Sequence, residues 1–531
     1  MGSFKNTLYF ILALLCFVLI QSWMQQTTVN KPGDIGSPEL VTVKKPATIA
    51  PPKNVSAIKS PDMTASIDLH GGRVIRTQLA HYYKTIARKE NETTLDYGDS
   101  FQYYAQSGFV GDEGIDYKVD TKQSSDDKLV LKATDHARVY TKSFEFGEQP
   151  FTIKQKTLIE NKGVLDQEVI PYATFVSLHS DASNAMDSPK TFSPSGEPRQ
   201  SSGWFMLPTY AGVSYHTEEQ PYVKLPYTQV ESKPGGMLLE NAGWMAVQQR
   251  YFLNAWVPEG LAKRALNTQW LQQDEQGFGH FSVTQLGSSE TLKSNQVANF
   301  EQVLYSGPEL SHVLQKVSKG LDLTIDYGWL WLLSQIIFDV LIHIHDLFAN
   351  WGVAIILTTA LIKMIFYKLS EKGFVASLKM KKIQPRLKEI QDRFKDDPVG
   401  RNQAIMALYK NEQVNPVGGC LPLLVQFPFL IALYWVLIES VQLRHASFLW
   451  ISDLSSYDPY YILPIVMGVG LFLQQKLTPT NLDPAQEQAM LMMPVMMTVL
   501  FSRFPAGLAL YMLTNALLSA FQQWYLTRKY Q

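Results

Sequence analysis

Residues 351–369 read WGVAIILTTALIKMIFYKL, and the fold turns on this stretch. At about 1.5 Å per helical residue, the run is close to the roughly 20 residues that cross about 30 Å of hydrocarbon. Position 363 is harder to place. A lysine at the centre of a membrane helix costs about 2.5–3.5 kcal/mol. Two arrangements offset that cost. The long stem can snorkel to the headgroups, or the ammonium can enter a wet cavity. Thr359, Lys363 and Tyr367 are spaced i, i+4, i+8 and share one helical face, which favours the cavity.

Outward from this run, the basic residues fix an orientation. The segment 370–416 carries Lys372, Lys379, Lys381, Lys382, Arg386, Lys388, Arg393, Lys395, Arg401 and Lys410, whereas 442–459 carries only Arg444. Loops rich in Lys and Arg stay cytoplasmic. Further apolar runs at 8–23, 419–441, 460–477, 489–504 and 507–526 bring the expected count to six transmembrane helices. Both termini then lie in the cytoplasm, in keeping with Lys5 and Arg528-Lys529. The first run has no A-x-A site after it, so residues 1–25 read as an uncleaved signal anchor. Leu14-Leu15 before Cys16 argue against a lipidated cysteine.

Polar residues recur inside these runs. Gln426 falls at a depth matching Lys363, and Tyr511, Asn515, Ser519 and Gln522 form a stripe at spacings of four, four and three. Polar side chains in membrane helices normally face a bundle interior or water. Such faces converging would make a hydrophilic groove open to the cytoplasm, with no acidic residue at the matching depth to neutralise Lys363. The run 489–504 holds Met490, Met492, Met493, Met496 and Met497. Methionine adapts to varied apolar partners and also serves as lipid-facing filler, and both readings stand. Pro422, Pro428, Pro464 and Pro494 predict kinks.

Segment 370–416 reads as a helical hairpin. Ile383, Leu387, Ile390 and Phe394 form an apolar stripe, and Ile405 and Leu408 continue it. Asp397 is placed to cap the second helix with Pro398 at its first position. Its basic side chains, Lys381, Lys382 and Arg386 among them, suit ribosomal RNA or anionic lipid, or simply enforce topology.

The remainder is of another kind. From Gln25 to Asp326 there are 29 Lys/Arg and 35 Asp/Glu, an ordinary soluble composition. Residues 26–60 read as a linker, rich in Pro, Lys, Thr and Val. Beyond them, 66–69, a Gly71-Gly72 turn, 73–79, 128–132, 137–146, 151–159 and 244–257 carry strand signals, several alternating apolar with polar. An all-β sandwich over 61–320 is expected. Its histidines lack metal-ligand spacing, and no nucleophile motif or phosphate loop occurs, so neither a cofactor nor a metal is expected. Residues 329–348 are apolar along one face, with Gln335, Asp339, His343 and Asp346 opposite. The segment 327–348 thus reads as an amphipathic helix lying on the outer surface, or as a helix packed on the sandwich.

LTIDYGWLW at 323–331, NPVGGCLP at 415–422, DPYYILP at 458–464 and FPAGL at 504–508 resemble the YidC/Oxa family of membrane protein insertases, in its Gram-negative form. The likeness covers nearly the whole chain. It implies a periplasmic β-supersandwich similar to sugar mutarotases, a cytoplasmic hairpin, and a five-helix core over 349–531 in an inner membrane. The implied groove carries one positive residue, here Lys363 where the family usually has Arg. A lysine keeps the charge but lacks the planar fork. The resemblance also implies nascent membrane proteins as clients, the bilayer as surroundings, and the Sec translocon and ribosome as partners, with no small-molecule substrate. With Gln531 soon after the last apolar run, ribosome binding through a basic tail of the kind some relatives use is not expected.

In that light Lys363, Thr359, Gln426, Tyr511, Asn515 and Ser519 are the expected groove, and Pro428, Met493, Met496 and Met497 the surface along which a client helix slides. No covalent catalysis is expected. A solute transporter or channel is the alternative, opposed by the single buried charge and the lack of repeats or paired carboxylates. A tethered sugar-processing enzyme rests on fold analogy alone.

Overall fold

The computed structural model describes residues 52–530 except 53, 88, 98–100, 136, 180–209, 211, 233–234, 274–278, 396, 413, 415–420 and 478–483. The signal anchor at 1–25, most of the linker, and Cys420 with most of its motif fall outside the described residues. The chain forms two compact units, one ending at Thr324 and the other running from Ile325.

The first unit is a large β-sandwich, in which seventeen strands among the described residues join in one antiparallel network. Alternation builds it. In Thr152–Asn161 the side chains of Ile153, Gln155, Thr157 and Ile159 are buried while Lys154, Lys156, Leu158 and Glu160 are half-exposed. Pro171–His179 pairs with Phe101–Phe109 on one side and Gly279–Leu286 on the other. Phe175 then stacks near Trp256, ring centres 6.1 Å apart, in a core that also buries Trp244, Tyr103 and Phe281. Gly71 and Gly72 turn the chain at φ 77° and 59°, a backbone region only glycine enters freely.

Two strand expectations are corrected. The first strand, Val55–Lys59, lies inside the stretch read as linker and forms a hairpin with Met63–Asp68. Pro51-Pro52 dominate that reading, yet Val55-Ser56-Ala57-Ile58 carries enough alternation to pair. The run 244–257 is two strands, Gly235–Gln248 and Phe252–Pro258, joined by a tight turn in which the Gln249 amide donates to the Phe252 carbonyl at 2.9 Å. The turn has no Gly, Pro, Asn or Asp, so nothing in composition announced it.

The sandwich core also holds a sealed ion pair. Lys142 and Asp112 are fully buried, Nζ to Oδ2 3.0 Å, and Lys142 also donates to the Gly71 carbonyl at 2.9 Å. Tyr172 donates to Asp112 at 3.1 Å. Burial pushes the Asp112 carboxyl above its ordinary value, with Lys142 drawing it partly back.

The second unit is helical: α1 (Trp331–Phe348), α2 (Trp351–Ile365), α3 (Tyr367–Arg393), α4 (Pro398–Asn411), α5 (Leu421–Glu439), α6 (Ile462–Leu477), α7 (Pro484–Phe501) and α8 (Ala506–Tyr530). α8 packs against α2 and α6, α7 against α6, and α1 against α2 and α5. Among the described residues, α1 alone is both long and apolar enough to cross a membrane by itself, and α2 with α3 would do so as a bent pair. The structure therefore does not establish a count of six spans. α1 buries Ser334, Ile337, Phe338 and Leu341, and Ser334 donates to the Ala432 carbonyl of α5 at 3.2 Å. It thus packs on helices of its own unit. Its outer side is apolar at Trp331, Leu332 and Ile336 and polar at Asp339, His343 and Asp346.

The largest correction concerns 351–369. The helix stops at Ile365, and α3 leaves at 64° from α2 across Phe366. At 15 residues α2 spans only about 22 Å. No Gly or Pro marks the break. The signal present is Phe366-Tyr367-Lys368, an aromatic and basic cluster of the kind found at a membrane–water boundary. The bend also removes Tyr367 from the face shared by Thr359 and Lys363.

Candidate functional site

Lys363 occupies the last turn of α2. Helical side chains lean toward the N-terminus of their helix, so its stem is aimed back along α2 rather than out past the break. The ammonium turns inward between α5 and α8. It donates to Ser519 Oγ of α8 at 2.7 Å and to Gln426 Oε1 of α5 at 3.4 Å. Gln426 in turn donates through Nε2 to Asn515 Oδ1, and the Ser519 hydroxyl donates to the Asn515 carbonyl at 2.7 Å. Among the described residues no carboxylate lies within ion-pair distance of Lys363, so the charge is held by neutral oxygens alone.

Three helices thus bring together four residues that the sequence reading singled out: Lys363, Gln426, Asn515 and Ser519. Tyr511, one turn before Asn515, is buried and also interacts with Gln426. Thr359 does not join them. Its hydroxyl donates to the Ile355 carbonyl of its own helix at 2.6 Å. A shallow recess of about 10 Å³, room for about one water molecule, opens beside Lys363 and is lined by Ile362, Phe366, Leu369, Ser370 and Gln426. It sits at the α2–α3 break. Phe366 and Ser370 carried no signal of this role, because the bend that places them was not foreseen.

At the opposite end of the unit the loop between α5 and α6 packs closely on α2 and α8. A Cβ on Gly352, at the start of α2, would lie 2.1 Å from the Phe448 ring in the α5–α6 loop. The same loop satisfies the start of α8, its Ser456 and Leu454 carbonyls accepting from Ala506 and Gly507 at 2.7 and 2.9 Å. Asp458 is buried and accepts from the Tyr460 and Leu463 amides.

On the outer surfaces, Met493 and Met496 of α7 are exposed, Met497 is half-buried, and Pro428 lies inside α5. In the hairpin of α3 and α4, Asp397 accepts from the Val399 and Gly400 amides at 3.1 and 3.0 Å, with Pro398 at the first helical position. Lys381 and Lys382 are exposed, and Arg386 is engaged by Glu412 across the hairpin. At the base of the hairpin Lys529 and Tyr530 of α8 bind Glu371 of α3 at 2.8 and 2.9 Å.

A cation turned in among apolar helices beside a small recess, in a chain that also carries a large β-sandwich, defines a membrane-embedded helical protein with a further β domain. Comparison with known proteins agrees. The family described as YidC periplasmic domain matches residues 56–340, and that described as 60Kd inner membrane protein matches 343–531. A protein of Pseudomonas fluorescens named membrane protein insertase YidC is 38% identical over 92% of this chain and 86% of its own. One of the same name from Actinobacillus succinogenes is 35% identical over 98% of this chain and 97% of its own. A solved structure of an active YidC insertase aligns over 91% of this chain and 95% of its own, at 18% identity and a TM-score of 0.37. The chain belongs to the YidC family of membrane protein insertases, inner-membrane proteins with a periplasmic domain.

Proposed function

We propose that this protein inserts the transmembrane segments of other proteins into the inner membrane and assists their folding, with the pocket beside Lys363 as the entrance for a client's polar tail. The observation that carries this reading is the inward-turned ammonium held only by neutral partners. A polar, often acidic, tail enters from the cytoplasmic side and rests near Lys363, while the client's apolar helix slides along α5 and α7 past Pro428, Met493, Met496 and Met497 into lipid. Hydrophobic transfer supplies the pull, about 25 cal/mol per Å² of apolar area buried.

The short helices suit this work. α2 covers about 22 Å and α6, at 16 residues, about 24 Å, both less than the roughly 30 Å of a typical hydrocarbon core. A polar tail then has less apolar distance to cross, and the close packing at Gly352 and Phe448 prevents a continuous leak. In this reading the bent pair α2–α3, with α5, α6, α7 and α8 and the segment at 8–23, makes six spans. Both termini and the hairpin lie in the cytoplasm, and α1 rests at the periplasmic surface. Lys381 and Lys382 remain free for ribosome or lipid, and the Sec translocon is a partner for larger clients.

Reconstitution into liposomes with a small client bearing an acidic N-terminal tail tests this. Lys363→Glu abolishes insertion of that client, and a Lys-bearing tail partly restores it. Unchanged insertion by the variant removes the charge from the mechanism. Client insertion without solute flux separates an insertase from a channel.

A further inference from the structure

Lys363 is an obligate donor, whereas serine and glutamine side chains both donate and accept. Something must therefore turn Ser519 and Gln426 into acceptors. Asn515 does both. Its main-chain carbonyl takes the Ser519 hydroxyl hydrogen, leaving the Oγ lone pairs to face the ammonium. Its side-chain Oδ1 takes one Gln426 amide hydrogen, leaving Gln426 Oε1 to face the ammonium. Resting on the insertase reading above, we propose that Asn515 is a positioning residue that presets this acceptor pair, and that one carboxylate oxygen of a client Asp or Glu displaces Gln426 while Ser519 stays bound.

Three facts select Gln426 as the exchanged partner. Its bond to Lys363 is the longer, 3.4 against 2.7 Å. Gln426 lines the pocket beside Lys363, whereas Ser519 does not. The Ser519 hydroxyl is fixed by its own helix, whereas Gln426 is held only through other side chains, those of Asn515 and Tyr511. A carboxylate competing against a neutral amide oxygen wins, because the donor is an ammonium in both bonds and only the carboxylate adds the attraction of an opposite charge. Capture is monodentate and reversible, which suits a passing client. No bond is made or broken in the step, and no proton moves.

The test compares two clients that differ only in an Asp or an Asn in the tail, inserted into liposomes by the full-length protein. Wild type inserts the Asp client better, and Asn515→Ala, which releases the competing Gln426 oxygen from its set orientation and leaves the ammonium short of an acceptor, raises the Asp-to-Asn ratio by about tenfold. The double exchange Gln426→Asn with Asn515→Gln moves one methylene across the pair and restores the ratio, which a general packing defect would not allow. An unchanged ratio in Asn515→Ala, or no rescue by the exchange, overturns the proposal. A wild-type ratio near one for both clients overturns instead the charge reading beneath it. Running each arm with and without phosphatidylglycerol separates the client carboxylate from a lipid phosphate. A ratio that collapses only with the anionic lipid assigns the pocket to lipid and overturns the client assignment.

Discussion

Lys142, fully buried, and Lys363, half-buried, are held in opposite ways. Lys142, within the sandwich, is sealed against Asp112 with the Gly71 carbonyl as a second acceptor. Lys363, among the helices, meets only the neutral oxygens of Ser519 and Gln426 among the described residues, with a pocket at its side. In the first case the attraction is spent inside the fold, so removing one partner strands the other. In the second the attraction is available to whatever anion arrives. A buried charge with an internal counter-ion maintains a structure, and one without a counter-ion can serve a visitor.

The same substitution at both positions tests this most severely. Lys363→Met lowers insertion of an acidic-tail client by about tenfold or more while leaving the melting temperature in detergent near wild type, because no carboxylate is left unpaired. Lys142→Met instead destabilises the sandwich by about 3–5 kcal/mol, read as a fall in its denaturant midpoint, since Asp112 is stranded in an apolar core. If Lys363→Met unfolds the protein and Lys142→Met does not, the contrast is inverted and wrong.

A smaller effect sharpens the first half. Replacing both partners, Asp112→Leu with Lys142→Met, recovers most of the lost stability, because no charge then needs burial. Tyr172, Gly71 and Tyr117 keep this from being fully neutral, as each loses a partner.

The pH dependence follows from the raised Asp112 carboxyl. Between the ordinary Asp value and the raised one, the folded sandwich holds a proton that the unfolded chain has released. Stability is therefore greatest below this window and declines as pH rises through it. Asp112→Asn removes that part of the slope, measured from denaturant midpoints across the acid range.

The smallest expected effect lies in the hairpin. Arg386→Ala breaks the pair with Glu412 at an exposed site, for less than about 1 kcal/mol, and hydrogen exchange in α3 and α4 reports it. Insertion of a Sec-independent client changes little.

What was legible in the sequence was set by period and by charge. The alternation in 151–159, the apolar runs, the cap at Asp397-Pro398 and the polar stripe Tyr511, Asn515, Ser519 are local patterns, readable because a helix or strand repeats them within a few residues. The cluster around Lys363 was half legible. Depth and spacing nominated its members, but Thr359 and Tyr367 were nominated on the same grounds and lie outside the hydrogen-bonded cluster, Thr359 bonding its own helix and Tyr367 standing past the bend. The break at Phe366 and the turn at 249–251 use no Gly or Pro, so no local preference announced either. Which oxygen meets the ammonium, which amide is turned by Asn515, and that Lys142 has a counter-ion where Lys363 has none among the described residues were decided by tertiary structure. The reason is range: a hydrogen bond between residues 363 and 519 exists only once three helices have packed, and no pattern along the chain encodes a distance across it.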